Sequence, residues 1–251
     1  MTLGIEKLRR LVGGTVRVEG PPASSMSSLS DAESSERAGI REFCQEKGIL
    51  SLYHFTPSQN LASILEFGLI PREELDRGGL SYEKTDLNRM DGALGALSLS
   101  ISFPNYRMFF KKREEHKSWQ WVVMEIAPDV LWKKDCRFFQ TNAASRQSID
   151  SMGENRKLED LRSLFLEFPL KEKGLSREKL QIPARYPTDP QAEVLVYGKI
   201  EPSFFKCVHV EKMRMLGEIR RHAGKQKVRL ECSPFLFRAR QDFSYWNDVV
   251  D

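Results

Sequence analysis

Apolar residues change their spacing several times along the chain, and each change marks an element. The clearest alternation runs from Ala96 to Phe103, where Leu97, Leu99, Ile101 and Phe103 interleave with Ser98, Ser100 and Ser102. A period of two predicts a half-buried strand with the large side chains inward and the serines on the opposite face. Further strands are predicted over Ile49–Phe55, Trp119–Ala127, Arg137–Phe139, Gln191–Tyr197, Phe204–Val210 and Val228–Cys232. Helical spacing appears at Ile5, Leu8, Leu11 and Val12, and again at Ile40, Phe43 and Cys44. It also predicts a helix through Leu61, Ile64 and Leu65, capped by Ser58 and stopped by Gly68. A short helix is expected through Met108–Phe110, and longer ones over residues 156–168 and 211–222.

The stretches without such a pattern are as informative. Gly20 to Glu36 is serine-rich and short of bulky apolar residues, so it reads as a mobile linker. Residues 1–39 are accordingly expected to form an N-terminal helix and linker, and 40–251 the main domain. Arg72 to Gly95 is a long polar connection, the kind of segment that becomes a substrate-recognition loop. Lys171 to Pro190 is polar and broken by proline, and the aromatic tail Phe235, Phe237, Phe243, Tyr245 and Trp246 is expected to pack back on the body.

With 251 residues, 40% of them hydrophobic, the chain can bury one full core. Its net charge of +4 permits a polyanionic partner without demanding one. Cys44, Cys136, Cys207 and Cys232 are scattered, with no Cys-x-x-Cys pair and only four histidines beside them, so no metal site and no disulfide framework is signalled. No apolar run approaches the roughly 20 residues of a membrane helix, and Met1-Thr2-Leu3 leads into charge, so a cytoplasmic protein is expected.

Two strand-borne groups carry candidate chemistry. His54 and Thr56 lie two apart on a strand and face one side together, with Phe55 on the other. Glu193 stands at the mouth of the Val194–Tyr197 strand, either as a solvated terminus or as an acid held beside a cleft. A carboxylate there suits scission of a nicotinamide glycosidic bond, because it stabilises the oxocarbenium-like state and can take a proton from the nucleophile. Lys111, Lys112 and Arg113 follow Tyr106, Phe109 and Phe110. That interleaving fits single-stranded nucleic acid, whose bases stack on rings, and equally fits a solvated helix end.

Six segments, in order, resemble the DarT family of nucleic-acid-directed ADP-ribosyltransferases across roughly Leu50 to Val210. They are Leu52-Tyr53-His54-Phe55-Thr56, Asn60 to Leu65 with Gly68-Leu69-Ile70, Asp86-Leu87-Asn88-Arg89, Phe103 to Met108, Thr141 to Ala144, and Gln191-Ala192-Glu193-Val194-Leu195-Val196. The resemblance implies an α+β fold, the split β-sheet of ADP-ribosyltransferases with flanking helices, behind a mobile N-terminal extension. It implies NAD as co-substrate, no metal, and a toxin-type transferase moving ADP-ribose to single-stranded DNA, with thymidine the expected base. Glu193 is then the catalytic glutamate, and His54, Phe55, Thr56 and Ser63 line the NAD site. Arg89 contacts phosphate and helps activate the target base, a role Arg107 could fill instead. Tyr106 and Asn142 are expected at the nucleic acid. A cognate antitoxin, or a macrodomain hydrolase that reverses the mark, is the implied partner in a toxin-antitoxin or anti-phage setting. The segment Ser100 to Arg107 departs from the family's best-known branch, which leaves another DNA base or RNA as alternative acceptors. A protein-directed transferase and an inactive NAD-binding module are the rival readings.

Overall fold

The computed structural model describes residues 26–79, 82–83, 95–143, 157–167, 176–224 and 226–246. Its strands are β1 (Leu52–Pro57), β2 (Ala96–Ile101), β3 (Trp121–Ile126), β4 (Asp135–Phe139), β5 (Glu193–Tyr197), β6 (Phe205–Val210) and β7 (Arg229–Cys232). They form one seven-stranded sheet in the order β4-β5-β2-β1-β3-β6-β7. Every pairing is antiparallel except that of β6 with β7.

The register divides this sheet. β1 pairs with β3 from Leu52↔Ile126 to Pro57↔Trp121, and β2 pairs with β5 from Ala96↔Tyr197 to Leu99↔Val194. Between the halves, β1 and β2 meet only at Leu52↔Ile101 and Tyr53↔Ser100. Beyond Tyr53 the strands part, and the His54 ring takes the place of a ladder bond, with Nδ1 3.0 Å from the Ser98 carbonyl oxygen. That oxygen can only accept, so Nδ1 carries the hydrogen.

One face holds the main core, including Leu52, Leu97, Leu99, Ile101, Met124, Val194 and Val208. Helices cover it: α1 (Met26–Lys47), α2 (Leu61–Phe67), α6 (Leu158–Ser163) and α8 (Leu216–Ala223), which contribute Phe43, Ile64, Leu161 and Ile219 among others. The remaining helices are α3 (Arg72–Arg77), α4 (Tyr106–Glu115), α5 (Val130–Lys133) and α7 (Arg177–Leu180). On the other face an aromatic cluster joins Phe55, Phe103, Phe109, Trp121 and Phe237.

Most predicted elements are found, and the departures have local causes. Helix α1 begins at Met26, inside the expected serine-rich linker. Its packed half (Ile40, Phe43, Cys44) supplies the nucleus, and extension through Ala32, Glu33, Glu36, Arg37 and Ala38 is then cheap. A Glu33–Arg37 pair at 2.5 Å and the Glu36 carboxylate, which accepts the Leu158 N–H, add support. Phe103 does not share the face of Leu97, Leu99 and Ile101. The chain turns at Ser102 (φ 61°), where the Phe103 N–H bonds to the Ile101 oxygen at 2.8 Å, and Phe103 enters the aromatic cluster. The start of the long polar connection is helical, as α3, while residues 84–94 and the predicted helix at 4–12 lie outside the described residues. Of the tail, Phe237 and Trp246 are buried, whereas Phe235, Phe243 and Tyr245 are exposed.

Gly68 stops α2 as predicted, and no other residue fits there. Its φ is 96°, and an added Cβ would lie 2.4 Å from the Ile200 oxygen. The close approach lets Leu69 and Ile200 exchange two 2.9 Å backbone bonds, fastening α2 to the connection after β5.

Candidate active site

Glu193 is the first residue of β5, and the residues behind it, Val194 to Val196, are fully buried. The strand is therefore fixed by its core contacts while the carboxylate stays half-buried at its open end. Both oxygens are held. Oε1 accepts from the Ser98 hydroxyl, and Oε2 accepts from the Ala143 N–H at 2.9 Å. Register explains the first contact: Ser98 lies opposite Leu195, so it shares a face with Glu193 one diagonal step away. Because His54 bonds the Ser98 carbonyl, a single β2 residue touches both groups that the sequence placed far apart. His54 reaches Ser98 through its carbonyl and Glu193 reaches it through its hydroxyl, beside the split of the sheet.

The backbone leading into β5 is clamped by buried charge. Asp189 is 4% exposed, and its Oδ1 accepts the Gln191 N–H at 2.7 Å. Burial pushes its carboxyl up to about 6, against the opposing pull of the Gln191 N–H, the Thr141 hydroxyl, Arg240 and Arg107. Arg240, 3% exposed, donates to the carbonyls of Pro187 (2.8 Å) and Thr188 (2.7 Å) and forms a two-pronged pair with Asp242, 2.6 Å on each side. Arg177 donates to the Tyr186 carbonyl and the Thr188 hydroxyl, each at 2.9 Å.

The other sequence candidates divide. Arg107 lies near enough to act on both Asp189 and Tyr106 electrostatically. Arg89 lies outside the described residues. Tyr106 is half-buried against the aromatic cluster, and burial pushes its phenol up to about 12. Asn142 sits between Thr141 and Ala143, in the turn that serves Glu193. Thr56 is buried, and its hydroxyl accepts from Asn60 Nδ2 at 3.3 Å. Ser63 donates to the Asn60 carbonyl at 2.9 Å, inside its own helix start. Phe55 stacks on Phe109 at 4.5 Å, on the face opposite His54. Asn60 also bonds the Glu83 N–H (3.0 Å) and carbonyl (3.1 Å), tying the long connection to the corner after β1.

Sequence reasoning missed Ser98, Ala143 and Asp189 as site residues. Ser98 showed as a serine on the outward face of an alternating strand, and Ala143 only as part of one segment of the family resemblance. Asp189 gave no signal in its proline-broken stretch.

A second polar cluster lies on the far half of the sheet, where Glu125, Cys207 and His209 bring ligand-type atoms within 4.8 Å of one another. Its groups already bond among themselves. Glu125 takes Lys206 Nζ at 2.7 Å and the Ser51 hydroxyl at 2.5 Å, and its other oxygen faces His209 Nε2 at 3.2 Å. Ser233 lies 2.9 Å from His209 Nδ1, and burial pushes the Cys207 thiol up to about 12. A cation placed there would meet the Lys206 ammonium, so the cluster reads as a structural network.

A sheet split beside a strand-borne carboxylate fits the ADP-ribosyltransferase class that the resemblance implies. The chain belongs to the DarT family within it: the model of that family, described as ssDNA thymidine ADP-ribosyltransferase, matches residues 53–238. It is thus an NAD-dependent ADP-ribosyltransferase of a family that modifies single-stranded DNA. Solved structures agree in fold. Thermus sp. 2.9 DarT in complex with carba-NAD+ has a TM-score of 0.53 at 15% identity, covering 75% of this chain and 98% of that one. The same protein in complex with ADP-ribosylated ssDNA has a TM-score of 0.52 at 14% identity, covering 76% and 97%. Thermosipho africanus DarTG in complex with ADP-ribose has a TM-score of 0.52 at 16% identity over 75% of this chain, which spans only 51% of that relative. A comparison with curated proteins finds no match. Among the described residues no helix is long and apolar enough to cross a membrane.

Proposed function

We propose that this chain transfers ADP-ribose from NAD to a thymidine base of single-stranded DNA, with Glu193 as the catalytic carboxylate. The observation that carries the reading is the hold on Glu193: both oxygens fixed, by Ser98 and Ala143, at the half-exposed split where His54 also bonds Ser98. As the bond between C1′ and nicotinamide breaks, nicotinamide leaves neutral and positive charge gathers on the ribose. A carboxylate held in place stabilises that charge without having to reorganise. A base nitrogen then bonds to C1′, and Glu193 accepts the proton that the nitrogen loses. His54 fixes the NAD ribose beside the split, and Arg107, with Arg89, faces diphosphate and target base. Tyr106 and Asn142 flank the acceptor. Phe55, Thr56 and Ser63 shape the pocket behind, through packing and backbone geometry.

A cognate antitoxin, or a macrodomain hydrolase that removes ADP-ribose, is the proposed partner. The match to a DarTG chain nearly twice the matched length supports such a pairing. The test is incubation with labelled NAD and, separately, thymidine-containing oligonucleotides, thymidine-free ones, RNA and lysate protein. Label is expected on the first alone. Label on thymidine-free DNA or on RNA would move the acceptor, and label confined to protein would overturn the nucleic-acid reading.

A further inference from the structure

We propose that Asn60 is a positioning residue for NAD: its side-chain amide fixes where the connection that carries Arg89 leaves the corner after β1. The inference rests on the reading of this chain as a transferase in which Arg89 faces the NAD diphosphate. Asn60 stands three residues past the end of β1, the strand that carries His54, and immediately before α2. Its Oδ1 accepts the Glu83 N–H at 3.0 Å. Its Nδ2 donates to the Glu83 carbonyl at 3.1 Å and to the Thr56 hydroxyl at 3.3 Å. Its own backbone carbonyl accepts from the Ser63 hydroxyl at 2.9 Å. One side chain and its backbone thus join the end of β1, the start of α2 and the long connection that runs on to β2.

The chemistry of the contact is specific. A main-chain N–H can only donate and a carbonyl can only accept, so the orientation of the Asn60 amide is settled by Glu83. Aspartate has the same size but offers acceptors alone; it would keep the N–H and set a carboxylate against the carbonyl. Because both partner groups belong to the main chain, the contact is indifferent to which side chain stands at position 83. The preceding residue is gripped from another element: Arg72 Nε donates to the Tyr82 hydroxyl at 3.2 Å, and that hydroxyl donates to Asp76 Oδ1 at 3.3 Å. Two successive residues of the connection are therefore anchored, Tyr82 to α3 and Glu83 to the corner after β1. From Glu83 the chain must reach Ala96, the first residue of β2, so this anchor limits where Arg89 can be presented.

Asn60→Asp in the full chain tests the contact. NAD binding is measured by calorimetry without acceptor DNA, and steady-state transfer to a thymidine oligonucleotide gives KM and kcat. Both Kd and KM for NAD are expected to rise about tenfold, with kcat within about twofold, because a positioning bond made before and during reaction is lost uniformly. Tm should stay within about 2 °C, since the Glu83 contact lies at the surface. Asn60→Ala should weaken NAD less than Asn60→Asp does, as it removes the bonds without opposing the carbonyl with charge. Glu83→Ala keeps both main-chain groups and should bind NAD as wild type does. Wild-type Kd and KM in Asn60→Asp would overturn the proposal, as would a loss confined to kcat, or a rise in Kd that Glu83→Ala reproduces. The two readings fail separately. If wild type transfers and Asn60→Asp binds NAD as tightly, the contact alone fails; if wild type binds NAD without labelling DNA while Asn60→Asp binds it weakly, the transfer reading fails and the contact stands. Wild type that binds no NAD would overturn both.

Discussion

The two polar clusters on the sheet sit on similar scaffolds and are finished differently. On the far half, Glu125 meets Lys206, Ser51 and His209, and opposite charges and donors answer one another. Glu125 is consequently held below the usual carboxylate range even against burial, chiefly by the Lys206 and Ser51 bonds. On the split half, Asp189 is buried more deeply than its donors can compensate, and its carboxyl rises to about 6. One cluster stabilises the charge it contains; the other keeps a charge at a cost, beside a carboxylate left half open. Cost without local compensation distinguishes a site from a structural network.

Four substitutions sharpen or break that contrast, from the largest effect down. Arg240→Ala leaves Asp242 buried without its cation, and should cost about 3–5 kcal/mol in chemical denaturation. A loss near zero would mean that the clamp on Pro187 and Thr188 does not support the split half. Glu193→Ala should lower transfer on the order of a hundredfold or more at unchanged Tm, read by oligonucleotide labelling. Near-normal transfer would count against its assigned role.

Asp189→Asn tests the cost itself. The folded chain binds a proton on Asp189 more readily than the unfolded one, so this group's contribution is present below pH 4 and is lost as pH rises through about 6. The asparagine variant should thus melt higher than wild type at pH 7.5, by up to roughly 3 kcal/mol, with the advantage gone near pH 4. Arg107 and Arg240, which face the group, oppose that gain, and a variant less stable at both pH values would refute it. His209 carries the opposite sign. Burial lowers its proton affinity, so the stability it lends is present above pH 6.5 and is lost as acid is added. His209→Gln should flatten the melting profile between pH 7 and 5, the smallest of the four effects, and an unaltered slope would show that other groups set it.

The sequence carried the sheet well because its strands are buried on one face and alternate, as in Leu97, Leu99 and Ile101, or are apolar throughout, as in Val194 to Val196. It carried Glu193 and His54 because a rigid strand presents each. It could not carry Ser98 as their link, since that contact depends on β2 lying between two partners hundreds of atoms away along the chain. Nor could it separate Thr56 and Ser63, whose hydroxyls satisfy local backbone and side-chain groups, from residues facing a ligand. Helix α1 was legible only where it packs; its serine-rich half is helical by extension from that packed end.

The clamp at Arg240 carries a genetic corollary. A stop codon or frameshift falling just before it would spare every recognisable family segment, yet release the backbone that feeds the acid strand. A gene truncated in this way would still be scored as intact by motif scanning, although its product lacks the clamp.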